Sequence, residues 1–211
     1  MVYTEKMVWS PLLRLYHWIF AISIVVLVVT GLYIHEPWTN STLEDVGRFP
    51  MALFKEIHFW AGFALMAAFF ARCYLLIFGN ENERFLSFAP ITGPNIRNFF
   101  STLLYYCYIG KKEHREGHNA FAGLFYLLTL FFALGQILSG LYLMYPENLT
   151  IQGLGLAFFG TQQQARFIHY LLMWYFILFA FAHIYIVIWN DVMGPEGMIS
   201  SIFNGRKYFK A

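Results

Sequence analysis

Four stretches of this chain carry apolar residues without charge for long enough to cross a bilayer, which takes about 20 residues of helix. The first runs from about Leu15 to Ile34, between Arg14 and Glu36. The second follows Glu56 and reaches Phe78, broken only by Arg72 near its far end. The third is the clearest, with no charge between Glu116 and Glu147, and spans about 118–145. The fourth runs from Phe167 to Asn190, between Arg166 and Asp191. Gly and Pro punctuate the gaps, at Pro37, Pro50, Gly79, Pro90, Gly93, Pro94, Gly110, Pro146, Gly153, Gly194 and Pro195. The pattern predicts an all-α integral membrane fold: a four-transmembrane-helix bundle without internal repeat, one domain over residues 1–211.

A different pattern sits between the second and third spans. Ile96, Phe99, Phe100, Leu103, Leu104, Cys107 and Tyr108 recur at helical spacing, with Asn95, Arg97, Asn98 and Ser101 between them. Two readings fit equally: an amphipathic helix lying in the cytoplasmic interface, or a water-side helix packed on its own bundle.

Composition agrees with lipid as the solvent. Apolar residues make up 59% of the 211 and charged residues 12%, where a water-soluble domain carries about 25% charged. So little charge cannot coat a water-facing surface, and these numbers exclude a disordered chain as well. With only Cys73 and Cys107 there is no disulfide scaffold. A net charge of +2 without a basic patch argues against nucleic acid. The first apolar run exceeds the 7–15 residues of a signal-peptide core and no small-residue cleavage site follows it, so a retained helix is expected.

Lys and Arg set the expected direction. Lys6, Arg14, Arg84, Arg97, Lys111, Lys112, Arg115, Arg206, Lys207 and Lys210 fall on one side; Arg48, Lys55 and Arg166 fall on the other. Ten against three places both termini in the cytoplasm.

Ionisable residues inside a membrane are costly and are functional candidates by default. His17 lies at the cytoplasmic start of span one, His58 at the outer start of span two, and His118 opens span three. His169 and His183 lie toward the outer and inner ends of span four, while His35 and His114 fall in polar connections and are expected to be solvated. His169 and His183 are 14 residues apart, about 40° short of four full turns, so they leave one face of their helix about 21 Å apart. Antiparallel neighbours put His58 at the level of His169 and His17 at that of His183. Two imidazole pairs at two depths suit two haem irons with axial histidines. Without Cys-x-x-Cys-His, attachment would be noncovalent, as in b-type haem. A tetrahedral zinc site needs ligands that converge, which a 21 Å offset forbids. Taken singly, each histidine is more often an interfacial residue than a ligand; spacing and depth together favour ligation. Spacing leaves one choice open, since His118 shares the inner level with His17 and could partner His183.

Several elements together resemble the b-type cytochrome subunit of membrane-bound nickel–iron uptake hydrogenases. They are Arg14-Leu15-Tyr16-His17-Trp18, Thr30-Gly31, Gly117-His118-Asn119, His169 with Met173-Trp174, and His183-Ile184-Tyr185. The tail Asp191-Val192-Met193-Gly194, Ser200-Ser201 and Gly205-Arg206-Lys207 completes the set. The resemblance covers nearly the whole chain and is weakest over residues 35–50 and 146–165. It implies a di-haem cytochrome b in which His17 and His183 hold the inner iron, and His58 and His169 the outer one. This chain has Tyr170 where members often carry another His or Arg, and Arg166 where members commonly carry another His.

The resemblance further implies an electron conduit in the bacterial or archaeal cytoplasmic membrane. Its partners would be a hydrogenase iron–sulfur small subunit and nickel–iron large subunit, and its acceptor a membrane quinone. His118 and Asn119 are the candidates for the quinone site, against a competing reading in which Asn119 caps a helix beside a surface histidine. Arg14, Arg72 and Arg166 are candidates to pair haem propionates; the competing reading for Arg72 is snorkelling to the interface. The six tryptophans fall mostly near span ends, as in an aromatic belt. The rival functions are the equivalent subunit of a formate dehydrogenase or other periplasmic oxidoreductase, and a haem-free, histidine-lined transporter. The transporter would favour acidic residues in mid-span, and none is present. No hydrolase triad, P-loop or dinucleotide fingerprint occurs.

Overall fold

A computed structural model describes residues 3–38, 50–110, 115, 117–194 and 196–210. Arg48, Lys111, Lys112, His114, Glu116 and Pro195, used in the sequence reading, lie outside the described residues. The element order is β1 (Tyr3–Met7), α1 (Pro11–His35), α2 (Pro50–Phe78), α3 (Phe85–Phe88), α4 (Gly93–Tyr106), α5 (Ala120–Met144), α6 (Leu149–Phe159), α7 (Gln162–Met193), α8 (Met198–Asn204) and β2 (Arg206–Lys210). Helices α1, α2, α5 and α7 are long and apolar enough to cross a membrane. The fold class is the helical membrane bundle expected.

Boundaries follow local chemistry. Ser10 accepts a hydrogen bond from the Leu13 amide, and Pro11 starts α1 where its missing N–H costs nothing. Thr161 and Gln164 bond reciprocally at the head of α7: the Thr161 amide reaches Gln164 Oε1 at 2.7 Å and the Gln164 amide reaches Thr161 Oγ1 at 3.3 Å. That capping box starts α7 at Gln162, five residues before Phe167, where the charge-free run after Arg166 begins. Likewise α2 starts at Pro50 and carries Lys55 and Glu56 in its first two turns. Charge-free length marks the apolar part of such a helix and misses the wetter turns that extend it.

The chain forms two compact units. Unit one comprises Met1–His17, Phe70–Phe132 and Phe179–Ala211. In it β1 and β2 pair antiparallel, Tyr3 opposite Lys210 and Met7 opposite Arg206, so the two termini share one ribbon. Val8, Trp9, Leu13 and Leu75 form its apolar core, with Tyr16 and Phe209 packed against them. Gly205, at φ 83°, turns the chain from α8 into β2; a Cβ there would lie 2.7 Å from the Trp9 carbonyl oxygen, so glycine is required twice over.

Helix α4 resolves the choice between two readings. Asn95, Asn98 and Thr102 are its buried residues, while Ile96, Phe100, Leu103 and Leu104 are exposed. Polar groups face the protein because they have work there. Asn98 Oδ1 accepts from the Ala120 amide at the head of α5, and Asn95 Nδ2 donates to the carbonyls of Leu86 and Ala89. A water-side helix would show the reverse; an apolar face turned outward suits the membrane interface.

Unit two comprises Trp18–Phe69 and Ala133–Leu178. It contains α6, in a stretch where Gly153 predicts a linker and which also holds Gly155. Asn148 caps α6 by accepting from the Ile151 amide, and a Cβ on Gly155 would sit 2.1 Å from the Tyr142 ring. The second glycine is therefore a contact point between α6 and α5. Ile22, Val25 and Val29 on α1 form an exposed outward row. Only 11% of the most apolar stretch of α7 is buried within the chain, as a lipid-facing helix requires.

Candidate haem sites

In unit one, α1 and α7 bring His17 and His183 together, with ring centroids 6.2 Å apart and planes at 50°. In unit two, α2 and α7 bring His58 and His169 to 6.3 Å and 55°. An iron with a nitrogen ligand about 2 Å away on each side, plus about 1.2 Å from each nitrogen to its ring centre, separates centroids by about 6.4 Å, within about 0.2 Å of both values. Both pairs have that spacing. Among the described residues no group of three or more His, Cys, Asp or Glu converges on one point.

The outer pair opens on a cavity of about 530 Å³, within the 300–1,000 Å³ of small-molecule sites. Both rings line it, as do Gly31, Gly62 and Gly140. A Cβ on Gly31 would stand 3.4 Å from His58 Cε1, and one on Gly140 would stand 3.4 Å from His169 Cε1. Hydroxyls one residue earlier hold the rings: Thr30 Oγ1 lies 2.8 Å from His58 Nδ1, and Ser139 Oγ lies 2.8 Å from His169 Nδ1. Gln136 lines the same cavity, and its Oε1 is buried with no hydrogen-bond partner among the described residues. Arg166 and Lys55 line it too, giving two cations for an acidic ligand. Two axial imidazoles, an apolar cleft, glycine-thinned walls and peripheral cations fit a haem.

The inner pair has a different setting. Phe179 stacks on His183 at 5.7 Å and Tyr126 meets that ring at 6.1 Å. Arg72 is 4% exposed; its Nη1 donates to the Glu83 carbonyl and its guanidinium lies over Phe88. It is held inside the protein and does not snorkel outward. Glu83, 1% exposed, accepts from the amides of Ser10 and Asn80 and ties the head of α1 to the turn after α2. Arg14 Nη1 donates to the Phe203 carbonyl, whereas Arg14 Nε is buried with no partner among the described residues. An orphaned cationic donor beside His17 in sequence suits an anionic group. Asn190 donates to the Tyr106 hydroxyl; burial nonetheless pushes that phenol above its ordinary value.

His118 stacks on Trp9 at 4.5 Å and meets Tyr126 edge-on at 4.6 Å. It borders a small polar cavity of about 230 Å³ with Asn82, Ser87, Asn95, Arg115 and Gly117. Asn119 Oδ1 accepts from the Ala122 amide and so caps α5, leaving only its NH₂ group to serve a ligand. Sequence reasoning missed Lys55, which is three residues before His58 and so on the same helix face. It also missed Gln136, a lone amide deep in an apolar span, and Ser139-Gly140, which repeats the Thr30-Gly31 pair. His35, expected to be solvated in a connection, ends α1 and stacks on Tyr170 at 4.4 Å.

Comparison with known proteins gives a consistent picture. The model of the family described as prokaryotic cytochrome b561 matches residues 8–205. The chain is 30% identical to a probable Ni/Fe-hydrogenase B-type cytochrome subunit of Rhodobacter capsulatus, over 98% of this chain and 83% of that one. It is 29% identical to the protein of that name in Azotobacter vinelandii, over 98% and 90%. With the probable Ni/Fe-hydrogenase 1 B-type cytochrome subunit of Escherichia coli K12 the identity is 26%, over 93% and 88%.

Proposed function

The chain belongs to the prokaryotic cytochrome b561 family, and on that premise we propose that it carries electrons from a nickel–iron hydrogenase through two b haems to a membrane quinone. The observation that carries this reading is the pair of imidazole couples, each at the centroid spacing of a six-coordinate haem iron. Haem b, when bound, supplies a one-electron couple. His58 and His169 would hold the outer iron, and His17 and His183 the inner one. Lys55, Arg166, Arg14 and Arg72 offset the propionate charge. The printed names of the relatives support a hydrogenase partner; its iron–sulfur subunit would be the donor. The bias of Lys and Arg supports cytoplasmic termini, and the terminal ribbon puts both terminal strands side by side. Electrons then run inward against a negative interior, at about 2.3 kcal/mol per 100 mV for each charge.

Quinone reduction takes up protons as well as electrons. His118 supplies a ring nitrogen for hydrogen bonding to a quinone oxygen, Asn119 an amide N–H, and the polar cavity beside His118 an aqueous approach for protons. The test uses membranes holding this chain with its hydrogenase. Hydrogen should reduce the haem bands and an added quinone should reoxidise them. His118→Ala should leave both haem spectra intact and abolish the reoxidation. Loss of a haem signal would make His118 an iron ligand and overturn its quinone role.

A further inference from the structure

The two outer histidines are met by the same two-residue device. On α1, Thr30 and Gly31 face His58 of α2; on α5, Ser139 and Gly140 face His169 of α7. The glycine lets the helix backbone approach the ring, and the preceding hydroxyl meets Nδ1. Each hydroxyl has another contact that fixes its direction. Thr30 Oγ1 lies 2.7 Å from the Val26 carbonyl oxygen, and Ser139 Oγ lies 2.8 Å from the Gly135 carbonyl oxygen, both four residues back in their own helices. A hydroxyl has one proton. Once it is given to the carbonyl, the oxygen can only accept from the ring.

We propose that Thr30 and Ser139 are positioning residues for the outer haem, each accepting the Nδ1–H of an axial histidine and thereby presenting Nε2, deprotonated, to the iron. This rests on the reading of His58 and His169 as ligands. The consequence is twofold. The neutral tautomer able to ligate through Nε2 is selected before the iron arrives. Partial withdrawal of the Nδ1 proton makes each imidazole a stronger donor, which favours the ferric state and lowers the potential of this haem.

The experiment is a potentiometric titration of the full chain loaded with haem, followed by optical and electron paramagnetic resonance spectra. Thr30→Val keeps the shape and removes the acceptor; Ser139→Ala removes the other. Each should raise the midpoint of one haem component, shift its low-spin signal and leave the other component in place. The double variant should move that component further, and Thr30→Ser and Ser139→Thr should behave as wild type. Unchanged potentials with haem retained would overturn the proposal. Haem loss in Thr30→Val but not in Thr30→Ser supports a requirement for the hydroxyl; loss in both would make side-chain size the cause and overturn it. Should His58→Ala leave the haem content of the chain unchanged, the ligand reading fails, which is a separate result from unmoved potentials in a chain holding both haems.

Discussion

The two histidine pairs share a separation and differ in what surrounds them. In unit two the rings are pinned by hydroxyls and backed by glycines, in an apolar cleft whose cations are Lys55 and Arg166. In unit one the His183 ring stacks on Phe179 and meets Tyr126 edge-on, and the unit also holds buried Arg72, Glu83 and the ribbon residue Lys207. Ring spacing is thus common to both sites, while the means of holding the rings is local. His58 and His169 meet hydroxyls at hydrogen-bond distance, and His183 packs against aromatic rings. Substitutions should therefore injure one site without the other.

The largest effect comes from the ligands. His58→Ala and His183→Ala should each cost one haem, and the double variant should hold none, read from the haem absorbance of purified chains. Loss of both haems from either single variant would erase the distinction between the sites. Next come packing changes. Trp9 is 4% exposed, stacks on His118, donates to Ser201 Oγ and lies beneath the Lys207 ammonium. Trp9→Ala should cost about 3 kcal/mol and perturb the inner haem signal alone. Gly155→Ala drives a methyl into the Tyr142 ring and should cost about 1–3 kcal/mol, with the inner haem signal unmoved. Thermal unfolding in detergent, followed at each haem signal, checks both.

The smallest contrast lies within α4. Asn98→Leu orphans the buried Ala120 amide, for about 1–3 kcal/mol. Phe100→Ser, on the outward face, should change stability in detergent by no more than about 0.5 kcal/mol. Equal costs for the two would contradict the inverted orientation of this helix.

Much of this was legible in the chain itself, because lipid simplifies the code. Long charge-free runs have few alternatives to spanning helices, and histidines within them stand out against an apolar background. The 14-residue spacing on α7 placed two rings on one face without any structure. What escaped reading was of two kinds. Helix α6 reads as a linker because Gly153 resembles a break, whereas the helix continues through it and its second glycine, Gly155, is small to admit Tyr142. The orientation of α4 could not be chosen from periodicity, which gives the axis between faces but not which face has partners; that depended on Asn98 meeting the head of α5. Hydroxyls in mid-helix such as Ser139 are common and carry no signal until a ring nitrogen is found opposite.

The most direct test of the central claim is the ratio of haem b to polypeptide in the purified full chain, measured as the pyridine haemochrome against amino-acid analysis. Two imidazole pairs predict about two haems per chain. A ratio of one would remove one pair from the account, and a ratio of zero would contradict it entirely.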